Sequence, residues 1–228
     1  MTKLIWISLA LLWFASSDAQ TERRRLGSTG GGTSIAYDNG SQGDQGSGAS
    51  LTISHVVATD ANWIEVGVAS YLAGGTQTMA VTYNGTSMTG RTAQGGVDQL
   101  QTFYLASPAT GTHDIVVTPS SSSCEVAVAA ISLKTVSATS NPSNETANNT
   151  DWTNTVTCAS GNWSVVFLWL YNEAPSVTNG TLRVSNSNTT TQASIYCYTR
   201  ESSSTTVQVN GTKAGSNTWR TNGASLNK

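Results

Sequence analysis

Charge is what this chain has least of. Of its 228 residues only 11% are Asp, Glu, Lys or Arg, and the balance at neutral pH is −2. That leaves no basic footprint of the kind that neutralises phosphates, so nucleic acid is not an expected partner. The one basic run, Arg23-Arg24-Arg25, reads as a solvated linker, with a processing site or a contact to anionic surface polymers as the sharper alternative.

Histidine is nearly as scarce, with only His55 and His113, each inside an expected strand. His113 precedes Asp114, but adjacent strand residues point to opposite faces, so the pair makes no proton relay. The many serines sit in no GxSxG elbow. Asp98, Asp114, Glu125, Asp151, Glu173 and Glu201 form no recognisable glycosidase pair and read as solvated edge and loop residues. No enzyme is expected.

The three cysteines, Cys124, Cys158 and Cys197, show neither CxxC nor Cys/His spacing, which argues against zinc. Isolated in apolar stretches, they read as buried thiols, with one disulfide as the alternative in an oxidising compartment. Long apolar runs are missing too. The longest, residues 4–15, is about twelve residues, short of the ~20 that a membrane helix needs. Lys3 precedes it and Ser17-Asp18-Ala19 follows it. This is the pattern of an export signal, residues 1–19, with an uncleaved anchor as the alternative. The mature protein is expected to be secreted or held at an extracellular surface, without a transmembrane segment.

What fills the chain instead is Ser, Thr, Asn and Gly around short β-rich runs, with no helical period. Strands are expected over residues 51–57, 63–70, 79–83, 100–105, 112–118 and 124–136. Ile64, Val66 and Val68 alternate with Glu65 and Gly67, and Met79, Val81 and Tyr83 with Ala80 and Thr82, one inward face apiece. Asn84-Gly85 supplies a type I′ hairpin turn, and residues 108–111 close a second hairpin. Residues 20–48, poor in apolar periodicity, read as a linker or extended arm.

An internal repeat organises the rest. Asn62-Trp63-Ile64-Glu65-Val66 returns as Asn162-Trp163-Ser164-Val165-Val166, and Asp114-Ile115-Val116-Val117 as Thr206-Val207-Gln208-Val209. Ile131-Ser132-Leu133 likewise returns as Ala224-Ser225-Leu226. The halves are residues 49–136 and 151–228, joined by a polar linker, 137–150. The expected fold is all-β: an antiparallel β-sandwich of two pseudo-repeated halves. The run VVFLWLY at 165–171 reads as buried on both faces, which favours halves interlocked in one jelly roll over two tandem Ig-like sandwiches.

The pattern NWIEVGVAS, VTYNGTSMT, LQTFYLASPATGTHDIVVT and VAVAAISL, within residues 51–228, resembles uncharacterised β-sandwich modules of bacterial secreted and surface proteins and of phage virion appendages. The resemblance implies a β-sandwich in an extracellular setting and carries no catalytic or ligand signature.

Binding is therefore sought in rings and oxygen clusters. Most tryptophans read as core, and Trp63 and Trp163, sharing a repeat position, as structural plugs. Trp152 and Trp219, near strand ends, are the expected contact residues, with Tyr71 beside them. Asp38, Asn39 and Asp44 bunch oxygen atoms as calcium prefers, although turn chemistry explains them equally, so calcium is the one cofactor with a candidate site. The many Asn-x-Ser/Thr sequons follow from composition. The leading reading is a non-catalytic structural or adhesive module whose partners are protein subunits, other copies of itself among them. The alternative is a carbohydrate-binding module for surface glycans, with or without calcium.

Overall fold

Alternation decides where each strand can lie. Where every second residue is apolar, one face is buried; where nearly every residue is apolar, both are. The computed structural model describes residues 34–187 and 192–228, and its strands are of these two kinds. The expected signal segment and Arg23–Arg25 lie outside the described residues.

In the first half the strands are β1 (Ala36–Gln45), β2 (Leu51–Val57), β3 (Trp63–Tyr71), β4 (Met79–Tyr83), β5 (Thr86–Ser87), β6 (Thr89–Gly90), β7 (Gln94–Gly95), β8 (Asp98–Ala106), β9 (Gly111–Pro119) and β10 (Glu125–Lys134). The second half has β11 (Ala138–Asn148), β12 (Asp151–Thr157), β13 (Trp163–Tyr171), β14 (Ser176–Asn179), β15 (Thr181–Asn186), β16 (Ala193–Glu201), β17 (Thr206–Thr212) and β18 (Thr218–Asn227). The first half pairs β1-β10-β3-β8-β6, with β7 on β8, opposite β2-β9-β4-β5. The second pairs β11-β18-β13-β16-β15 opposite β12-β17-β14. All pairs are antiparallel. The β4–β5 turn has Asn84 at φ 47° and Gly85 at φ 74°, as a type I′ turn requires.

The fold is thus an all-β sandwich of two repeated halves. Each of the four sheets draws on one half only, so the halves do not exchange strands. They share an interior nonetheless. Along β3, Ile64, Val66 and Val68 face the first half's own core, while Trp63 and Ala69 face the second half. Along β13, Val166, Leu168 and Leu170 face the second half's core, while Val165, Phe167 and Trp169 face the first. Three apolar layers therefore separate four sheets, and VVFLWLY is buried on both faces as its composition implies. A Cβ on Gly67 would stand 2.6 Å from Phe167 Cγ, so only glycine admits that ring.

Polar pins cross the middle layer. Glu65, fully buried, takes a bidentate pair from Arg91 at 2.7 and 2.8 Å and accepts from Trp63 Nε1 at 2.8 Å. Arg91 Nη2 also donates to Thr139 Oγ1 in the second half at 2.8 Å, and Thr102 Oγ1 donates to Asn222 Oδ1 at 2.8 Å. Trp63 stacks on Tyr104 at 5.3 Å. The repeated Asn-Trp is structural in both copies. Asn62 clamps Val136 through both amide atoms, at 2.8 and 3.1 Å, and Asn162 donates to Asn227 Oδ1 at 2.9 Å.

Two expected linkers are strands. Residues 36–45 of the supposed arm form β1, which pairs along the length of β10. Its glycines read as flexibility, but a Cβ on Gly43 would overlap the Ile53 side chain, so they serve close packing. Most of residues 137–150 form β11, which holds the equivalent edge beside β18. With these strands each half completes its own two sheets. Residues 135–137 alone connect β10 to β11.

Candidate functional site

Inward phase along β12 places Trp152, Asn154 and Val156 under the sheet and Asp151, Thr155 and Thr157 above it. The two expected contact tryptophans are consequently core residues: Trp152 is 1% exposed and Trp219 is 3% exposed. Burial of a large ring is worth more to the fold than exposure at a strand end, so their open faces are not offered to a ligand. Trp152 packs on Tyr198 at 5.1 Å, and Trp219 Nε1 donates to Asn149 Oδ1 at 2.7 Å.

The structure does bring these two together. Both line one groove of about 770 Å³ between β11 and the outer sheet, whose polar rim includes Glu145, Asn149, Asp151 and Asn210. Glu145 Oε1 accepts the Thr155 backbone N–H at 2.7 Å, closing the free edge of β12. Asn179 Nδ2 donates to Asn210 Oδ1 at 2.8 Å. Trp152 Nε1 is buried without an acceptor. The rim offers carboxylates, amides and hydroxyls, a set that suits a neutral ligand rich in hydroxyl groups. Tyr71 is elsewhere. It ends β3, half-buried, in register with Asp98 on β8 and Glu125 on β10.

Asp38, Asn39 and Asp44 do not converge. A strand advances about 3.3 Å per residue, which sets Asp38 and Asp44 roughly 20 Å apart. Asp38 Oδ2 accepts from the Ala58 N–H at 3.0 Å and from Ser132 Oγ at 2.7 Å, and Lys134 Nζ lies 3.8 Å from Oδ1. Asn39 Nδ2 donates to the Val56 carbonyl at 3.3 Å, and Asn186 Nδ2 reaches Asp44 Oδ1 at 3.4 Å. Asp38 and Asn39 therefore tie β1 to β10 and the end of β2, and Asp44 faces β15; among the described residues no three His, Cys, Asp or Glu side chains gather as a metal site.

His55 lies in the inward row of β2, where burial lowers its pKa to about 4 against a small upward pull from Asp38. It is neutral at pH 7, with Nδ1 2.8 Å from Ser41 Oγ and Nε2 unpartnered. His113 Nε2 sits 3.0 Å from the Thr110 carbonyl. The cysteines are free, and Cys124, Cys197 and Cys158 fall one to each apolar layer. Layers about 10 Å apart put every pair beyond disulfide reach. Burial raises all three thiol pKa values, that of Cys124 to about 11.

A second recess, which the sequence reading missed, lies where the halves meet and includes Tyr171, 41% exposed. Tyr171 stands one hundred positions after Tyr71, so the repeat was the signal that pointed to it. Among the described residues no helix is long and apolar enough to cross a membrane. Comparison with protein-family models, curated proteins and solved structures finds no match to this chain.

Proposed function

We propose that this chain is a non-catalytic, extracellular structural or adhesive protein that works at a cell surface, filament or virion. The observation that carries the reading is the placing of polar surface. The outer sheets of the two sandwiches lie on opposite sides of the layered stack. One presents Thr52, Ser54 and Thr118 outward, the other Thr155, Thr157, Thr206 and Thr212, while the large rings are mostly inside. Two outward faces carrying rows of hydroxyls suit contact by area on both sides, with copies of the chain or with other subunits. Size-exclusion chromatography with light scattering on the mature chain tests this. Multimers, or binding to intact cells of the source, are expected; a monomer that binds no surface contradicts it.

Carbohydrate binding is the second reading, favoured by the groove whose polar rim includes Glu145, Asn149, Asp151 and Asn210. Because Trp152 and Trp219 are core, its variants are rim residues. Glycan-array binding lost in Asn210→Ala and Asp151→Ala would establish it in place of an assembly role.

A further inference from the structure

The recess between the halves has a volume of about 350 Å³. Its walls include Asp98, from β8 of the first half, and Asn148, Trp169, Tyr171 and Asn217 from the second. It is therefore complete only when the two sandwiches are stacked. Burial raises the Asp98 pKa, and Arg220 opposes that rise. Arg220 lies over the Trp169 ring at 6.0 Å, and its Nε is buried without a partner. Arg220 stands behind the walls, where its Nη1 donates to Thr146 Oγ1 at 3.3 Å, so Asp98 is the one charged residue of the lining. A carboxylate repels an anion and accepts readily from hydroxyl groups, which suits the recess to a neutral polar ligand.

Hydrogen-bonding capacity narrows the class. Trp169 is 1% exposed and its indole Nε1–H is buried, so it lies beside the recess as a reporter and the bonding groups are those of its polar walls. Asn148 Oδ1 already accepts from Thr218 Oγ1, which leaves its Nδ2 to donate. Asn217 Nδ2 donates to Glu173 Oε1 at 2.8 Å, which leaves its Oδ1 to accept. Asp98 supplies a further acceptor, and the exposed Tyr171 ring a flat apolar wall. A ring bearing several hydroxyls uses all of these, donating to the acceptors and accepting from the amide. The volume lies at the small end for ligand sites, room for one ring.

We infer that the recess binds one neutral sugar residue, its ring against Tyr171 and its hydroxyls on Asp98, Asn148 and Asn217. This goes beyond the groove reading and shares no residue with it. The test is a titration of the ¹⁵N-labelled mature chain with the methyl glycosides of glucose, galactose, mannose and N-acetylglucosamine. The readout is the Trp169 indole N–H signal, assigned with Trp169→Phe. At least one glycoside is expected to shift that signal saturably. Tyr171→Ala and Asp98→Asn should each weaken binding about tenfold, while Tyr171→Phe and the groove variant Asn210→Ala bind as the parent does. No shift with any of the four overturns the inference. So does binding that Tyr171→Ala leaves intact, or that Asn210→Ala abolishes, since the latter would assign the sugar to the groove. If Asp98→Asn fails to fold, the contrast between Tyr171→Ala and Tyr171→Phe decides the matter.

Discussion

Phe167 and Gly67 offer a direct probe of the layer between the two sandwiches. Phe167, 1% exposed, projects from β13 onto the bare backbone of β3 at Gly67. Phe167→Ala empties that space and should cost about 3–5 kcal/mol, a large part of the roughly 5–15 kcal/mol that holds a domain together. Gly67→Ala inserts a methyl that would stand 2.6 Å from Phe167 Cγ, and the displaced ring should cost about 1–3 kcal/mol. The informative quantity is the coupling. Once Phe167 is alanine, the methyl at position 67 no longer meets the ring, so its penalty should fall to a few tenths of a kcal/mol. The double-mutant cycle should then return an interaction of about 1–3 kcal/mol. Urea unfolding of the four proteins, followed by tryptophan fluorescence at constant m value, measures it. Strict additivity would refute the contact and, with it, the stacking of the halves through this layer.

Acid should destabilise the protein through His55. Its pKa is about 4 folded against about 6.5 unfolded. The folded state therefore lags in binding a proton as pH falls from 6.5, and about 3 kcal/mol of stability is lost by pH 4. Urea midpoints at pH 7, 5.5 and 4.5 should follow that slope, and His55→Gln should flatten it; an unchanged slope in the variant contradicts the assignment. Arg91→Met strands the Glu65 carboxylate and should cost about 3–5 kcal/mol, much of it recovered by adding Glu65→Gln. Thermal unfolding checks both, and a single variant that unfolds like the parent contradicts the pair's structural role. Deleting residues 138–228 uncovers Leu100, Ile131 and Leu133 at about 1.5–3 kcal/mol each. The first half alone should then show no cooperative melt by calorimetry, and a sharp transition would mean that it stands without its neighbour.

Strong alternation made much of the fold legible. Met79, Val81 and Tyr83 marked β4, Asn84-Gly85 its turn, and VVFLWLY a strand between two cores. β1 and β11 escaped because edge strands need bury little, and their Gly, Ser and Asn read as loop. The two-face burial of VVFLWLY, which favoured interlocked halves, is met by the layer that both halves share. Trp152 and Trp219 lie near strand ends as expected, but their inward phase depends on register with β17 and β13, which local sequence does not state. Asp98 and Tyr171, seventy-three positions apart, meet only through the stacking of the halves.

The central claim is that two opposed polar faces make this chain a contact module. It is tested most directly by light scattering and cell binding of outer-face variants. Thr52→Lys with Ser54→Lys charges one face, and Thr155→Lys with Thr212→Lys the other; all four residues are exposed. Assembly or attachment is expected to weaken when either face is charged and to vanish when both are, with the melting temperature unchanged. A parent chain that stays monomeric and binds no surface, or an assembly indifferent to both sets of charges, would contradict the claim.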